Sequence, residues 1–171
     1  HTTGIPLNVG KDMEVMKQFY DVVSLLEIFT DSSKILPTYQ RIAQAEIAYR
    51  GINATAQDCL WDTFDAAFSI ASRGKIGAKE YPLYVKGIRD LRGHIYAENY
   101  SPEIAAVRAV RVMYLAMCLL TGNTYKKVED ANEMSDKKLM HSELASLKYL
   151  RKVNLEAYSY LILLDEILEI R

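Results

Sequence analysis

With 171 residues, 50% of them hydrophobic and 25% charged, the chain has the size and composition of one globular domain with a substantial core. Its 21 lysines and arginines stand against 22 aspartates and glutamates, for a formal charge of −1. That balance excludes a general basic coat for nucleic acid and leaves room only for a local basic patch.

Residues 1–10 hold Gly4, Pro6 and Gly10 without periodicity and read as an N-terminal arm. Residues 11–171 read as the domain proper. From 11 to 30, Met13, Met16, Tyr20 and Val23 recur at helical spacing beside Phe19, Val22, Leu26 and Phe29, which predicts a first helix with a broad apolar face. Asp31-Ser32-Ser33 interrupts it. Pro37 is acceptable in the first turn of a second helix, where its missing N–H has no partner to lose, and Gly51 suits the position just past that helix's end. Asn53 or Thr55 is placed to cap a third helix, with Asp58 in its first turn and Trp61, Phe64 and Phe68 as core residues, ending at Arg73-Gly74.

A Gly-containing linker, 75–79, leads to Pro82 and a fourth helix expected to continue to Asn99 or Tyr100. Ser101-Pro102-Glu103 then supplies an N-cap, a proline at the first helical position and an acidic first turn, a strong start signal for a fifth helix ending at Gly122. Its longest apolar run, 110–120, is interrupted by Arg111 and falls short of the roughly 20 residues that a membrane span needs, so a buried core helix is expected and no membrane partner. Residues 123–134 mix both charge signs and predict an exposed connection with at most one helical turn. From 135 to 170 neither proline nor glycine occurs, and leucines keep a near-helical rhythm, so one long helix or two halves joined near Asn154 are expected. No alternating strand pattern and no fixed repeat occurs. The expected class is all-α, a single-domain helical bundle of five or six helices.

Cys59 and Cys118 lie in apolar helical contexts without a Cys-x-x-Cys spacing, which predicts buried free thiols and suits a reducing, cytoplasmic compartment. No signal-peptide pattern is seen at His1. His94 and Glu98 are four apart, yet no second Glu-x-x-His unit exists to complete a di-metal site, and neither a metal nor another cofactor is expected. His141 with Glu143 and Glu133 has no further ligand spacing. No Gly-x-Ser-x-Gly elbow positions a nucleophile.

The polar cluster with a chemical reading is Arg89-Asp90-Leu91-Arg92-Gly93-His94. Metal-independent RNA cleavage needs a group titrating near neutrality to move protons and a fixed cation to offset charge on the phosphate; His94 and Arg89 are the candidates. Five positions turn a helix by about 140°, so the two do not share a line along one chain. A symmetric dimer bringing two such helices together relaxes that constraint, and Gly93 permits close approach. Arg92, Arg108 and Arg111 are candidates to extend a phosphate-binding surface, and Tyr96 and Tyr100 to stack on bases, although tyrosines at helical spacing are more often packing residues. The ordinary structural reading makes Arg89 and Arg92 solvated and His94 a helix-end residue.

The segment Arg89, Asp90, three residues, His94, followed by an apolar helix, resembles the HEPN superfamily, the all-helical nucleotide-binding domains of prokaryotic defence and toxin systems. The resemblance covers about a quarter of the chain. It implies a homodimeric ribonuclease leaving a cyclic phosphate, with Arg89 and His94 catalytic and Asp90 supporting them. Asp90 stands where asparagine is commoner, and some members of that superfamily bind partners or nucleotides without catalysis. The expected partners are a second copy and RNA. The competing expectation is a non-enzymatic helical scaffold, such as a nucleocapsid, coat or adaptor protein, that uses its helices for self-assembly or for docking a protein partner.

Overall fold

The computed structural model describes residues 2–29 and 31–168, and among these it is all helical, with no strand. Seven α-helices run in order: α1 (Asp12–Ile28), α2 (Ile35–Arg50), α3 (Ala56–Ala71), α4 (Tyr81–Arg92), α5 (Pro102–Thr121), α6 (Leu150–Val153) and α7 (Leu155–Ile167). Two 3₁₀ turns, Ala131–Met134 and Ser142–Leu147, precede α6. The expectation of five or six helices is thus corrected to seven. The expected ends of the first and last helices, at Thr30 and Ile170, lie outside the described residues.

The local signals place several boundaries. Thr55 and not Asn53 caps α3: its hydroxyl accepts the Asp58 N–H at 3.1 Å while the Asp58 carboxylate accepts the Thr55 N–H at 2.8 Å, a reciprocal box that satisfies two otherwise orphaned donors. Ser101 accepts the N–H of Ile104 at the start of α5, and Gly122 closes that helix at φ +71°, a left-handed position that costs a glycine little.

α5 is the centre of the bundle. Ten of its residues are buried, from Ala105 to Cys118, by α3 on one side and α7 on the other. Four of those ten are alanines. By length and composition α5 could cross a membrane, but 56% of its apolar window is buried inside the protein, as a core helix requires. α1 packs on α4 and leans on α5, while α2 lies outermost against α3 and buries only Ala43.

Two stretches depart from their expected form, each because of contacts distant in sequence. Residues 123–130 are not simply an exposed connection, since Tyr125 is buried and stacks on Tyr160 with ring centroids 6.0 Å apart, beside Tyr114 and Phe29. The helix expected from 135 onward is replaced by an irregular run and a 3₁₀ turn. Leu144, Leu147 and Leu150, all fully buried, recur every three residues, the period at which 3₁₀ geometry stacks side chains in one line. The run before them is held by the buried carboxylate of Asp165 on α7, which accepts the backbone N–H groups of Met140 at 2.6 Å and His141 at 3.0 Å. Asn154 separates the two halves, as expected, and its side chain caps α7 by accepting the Ala157 N–H at 2.8 Å.

Candidate functional site

α4 has a simple amphipathic logic. Tyr84, Gly87, Ile88 and Leu91 are its buried residues, the i, i+3, i+4, i+7 set of one face. Lys86, Arg89, Asp90 and Arg92 are consequently turned to solvent. Arg89 and Arg92, three apart in the last turn, are neighbours at the helix's negative end, where cations are favourable.

The helix stops at Arg92, short of the expected Asn99 or Tyr100. Gly93 and His94 form a tight turn in which the His94 N–H bonds the Leu91 carbonyl at 2.8 Å. What ends the helix is the demand of the following segment. Tyr100 is 0% exposed and meets the Tyr20 ring edge-to-face, with centroids 5.2 Å apart, and Glu98 makes a two-pronged ion pair with Arg108 at 2.5 and 2.9 Å. A continued helix would carry both away from α1 and α5.

The candidate residues therefore divide into two groups. Arg89, Arg92, His94 and Tyr96 are exposed, Tyr96 at 96%. Among the described residues, no ion pair or side-chain hydrogen bond involves Arg89, Arg92 or His94. Asp90 lies 3.4 Å from the Lys86 ammonium, which in turn holds the buried Asp12 of α1 at 2.7 Å. The three are linked through one cation.

Tyr100, Arg108 and Arg111 are placed otherwise. The Tyr100 ring presents no face to a base, and burial pushes its phenol well above the usual range. Arg108 is committed to Glu98 and lies over the Tyr20 ring. Arg111 is only 16% exposed, pairs with Glu27 of α1 and Glu156 of α7, and lies over Tyr160. These arginines fasten α5 to its neighbours. His94 and Glu98 share no helical face, because α4 ends at Arg92, before both of them.

Sequence reasoning missed a concave region elsewhere in the bundle. Between α1 and α3, with Tyr39 of α2 and residues 2–4 of the arm at its edges, lies a cavity of about 530 Å³. No local motif announces it, because its walls are ordinary apolar helix positions; the one available hint was the polar Asp62 beside the aromatic run of α3.

Compared with protein-family models, curated proteins and solved structures, the chain has no significant match.

Proposed function

We propose that this protein binds single-stranded RNA through the C-terminal end of α4 and that a dimer formed about this end cleaves it in the manner of HEPN ribonucleases. The observation that carries the reading is the grouping of Arg89, Arg92, His94 and Tyr96 on one short exposed segment, with the three basic side chains uncommitted to carboxylates among the described residues while Arg108 and Arg111 are neutralised. The arginines take phosphates and the Tyr96 ring stacks on a base. In cleavage the ribose 2′-OH attacks phosphorus, the bond to the 5′ oxygen breaks, and a 2′,3′-cyclic phosphate and a 5′-hydroxyl result. His94 moves the proton, Arg89 offsets charge on the phosphate, and Asp90 is steadied by Lys86.

The test is fluorescence anisotropy with a labelled single-stranded RNA at two salt concentrations, together with gel analysis of products. The paired substitution R89E/R92E is expected to weaken binding more than tenfold and flatten its salt dependence. Tyr96→Ala weakens it by roughly fivefold to a hundredfold. His94→Ala abolishes cleavage and spares binding. Absence of RNA binding by the wild-type protein, or binding indifferent to the arginine reversals, overturns the proposal.

One observation favours a scaffold instead. Val22, Leu25 and Ile28 form an exposed apolar row on α1, and Ile42 and Tyr49 are exposed on α2. Large assemblies in light scattering that Leu25→Glu dissolves, with no affinity for RNA, would replace the nuclease reading by self-assembly through these helices.

A further inference from the structure

α1 packs on α4 and α5, and α3 packs on α5. Between α1 and α3 the bundle leaves a cavity of about 530 Å³, floored by the buried Val112 of α5 and Tyr84 of α4, a volume in the range of small-molecule sites. Met16 and Phe19 from α1 and Ala66 and Ile70 from α3 give it apolar walls. The hydrocarbon does not stop at the interior. Val22 lines the same cavity and is 38% exposed, so the α1 wall continues to the solvent side as apolar surface that the fold leaves uncovered.

The polar groups along these walls are already engaged by the protein. The Tyr39 phenol donates to the Ala56 carbonyl at 3.1 Å, and the Thr63 hydroxyl donates to the Cys59 carbonyl at 2.9 Å. Asp21 is paired with Lys17 at 2.7 Å, and Asp62 accepts both the backbone N–H and the hydroxyl of Thr2. Burial pushes the phenols of Tyr39 and Tyr84 up, so both stay neutral. Among the described residues lining the cavity, none is Lys, Arg or His.

These commitments choose among ligands. An anion would shed its hydration against walls that offer no cation, a cost without compensation. A cation would meet two carboxylates that already have partners, and would have to displace one of them to recover what it loses in leaving water. An uncharged molecule has neither cost, and gains from covering hydrocarbon on both helices. We infer that this cavity binds an uncharged, largely apolar small molecule, held between α1 and α3 above Val112 by burial of its hydrocarbon and without an ion pair.

Isothermal titration at pH 7 with naphthalenemethanol, naphthoate and naphthylmethylamine, which share one ring system and are neutral, anionic and cationic in turn, tests this. The alcohol is expected to bind one per chain and about tenfold or more tightly than either charged compound. Ala66→Phe, which fills the space from the α3 wall, is expected to abolish that binding. Val22→Gln, at an exposed position, is expected to weaken it several-fold while leaving the unfolding midpoint unchanged. Circular dichroism and thermal unfolding establish that the variants are folded; should Ala66→Phe fail to fold, Val22→Gln decides. Equal affinity for the three compounds overturns the inference, as does a preference for the acid or the amine, the absence of saturable binding of the alcohol, or binding that neither substitution weakens. The RNA affinity of the wild-type protein is independent of each of these outcomes.

Discussion

A β-carbon on Gly87 would stand 2.1 Å from the carbonyl oxygen of Asp12, so that α4 and α1 meet backbone to backbone at this point. The Met16 side chain closes the same gap at 2.8 Å. Neither neighbour can yield cheaply, because one is main chain and the other is fully buried. Gly87→Ala is therefore expected to cost about 3 kcal/mol and to lower the unfolding midpoint on the order of 10 °C. Gly93→Ala is the contrast: its nearest atom would be 3.9 Å away and its φ is −65°, so the change is neutral or stabilises by about 0.5 kcal/mol. Thermal unfolding followed by circular dichroism checks both, and equal midpoints for the two variants would show that the contact is not tight.

The Asp12–Lys86 pair gives stability a pH dependence. The hydrogen bond to Asp12 is the main cause that raises the Lys86 ammonium above its ordinary value of 10.5, with Asp90 adding to it. A raised folded value means that the contribution is complete below about pH 10.5 and is lost as pH climbs through the folded value. Lys86→Met leaves a carboxylate that is only 6% exposed without its cation. The variant is expected to unfold at lower temperature than the wild type at pH 7, and the gap should close above pH 10.5. A gap of constant width across that range would show that the lysine acts through its methylene stem alone.

Cys118 supplies a second alkaline signal. Burial on α5 pushes its thiol from 9.0 up to about 11. The folded state thus holds a proton that the unfolded chain releases earlier, and stability falls as pH rises from about 9 toward 11. Cys118→Ala removes this titration, so its unfolding midpoint should decline less between pH 8.5 and 10.5 than that of the wild type. In native protein at pH 8, iodoacetamide is expected to leave Cys118, which is 0% exposed, unmodified until denaturant is added. Rapid native labelling would contradict its placement.

Arg108 and Glu98 offer a test of what ends α4. Arg108→Met keeps the apolar stem over Tyr20 but removes the two-pronged pair, at an expected cost of about 2 kcal/mol. The segment between His94 and Ser101 should loosen with it, read as faster amide exchange at Tyr100, while RNA affinity stays unchanged. A loss of RNA affinity with stability intact would place Arg108 on the nucleic-acid surface instead.

The boundaries that sequence reasoning located are those held by neighbours in the chain. Ser101-Pro102-Glu103 and Gly122 bracket α5 through bonds that reach only three or four residues, and Thr55 with Asp58 does the same for α3. The end of α4 was illegible because Tyr100 and Glu98 are recruited by Tyr20 and Arg108, a matter of tertiary packing. Leu144, Leu147 and Leu150 fit a helical rhythm loosely and a three-residue rhythm closely, and nothing local says that Asp165 will hold the preceding amides. At the candidate site, exposure of Arg89 and Arg92 follows from the apolar stripe on their own helix. Arg111 could not be sorted that way, since its partners Glu27 and Glu156 lie 84 and 45 positions distant.

α2 has so far figured only as the outermost helix, but its thin attachment has a dynamic meaning. Ala43 is its only buried residue, and Tyr39 donates a hydrogen bond to the Ala56 carbonyl of α3 at 3.1 Å, so its detachment would sacrifice little apolar contact. A helix with so few buried contacts is expected to open locally below the free energy of global unfolding. Tyr39 also stands at the edge of the cavity between α1 and α3, and amide exchange along α2 is expected to be faster than along α5.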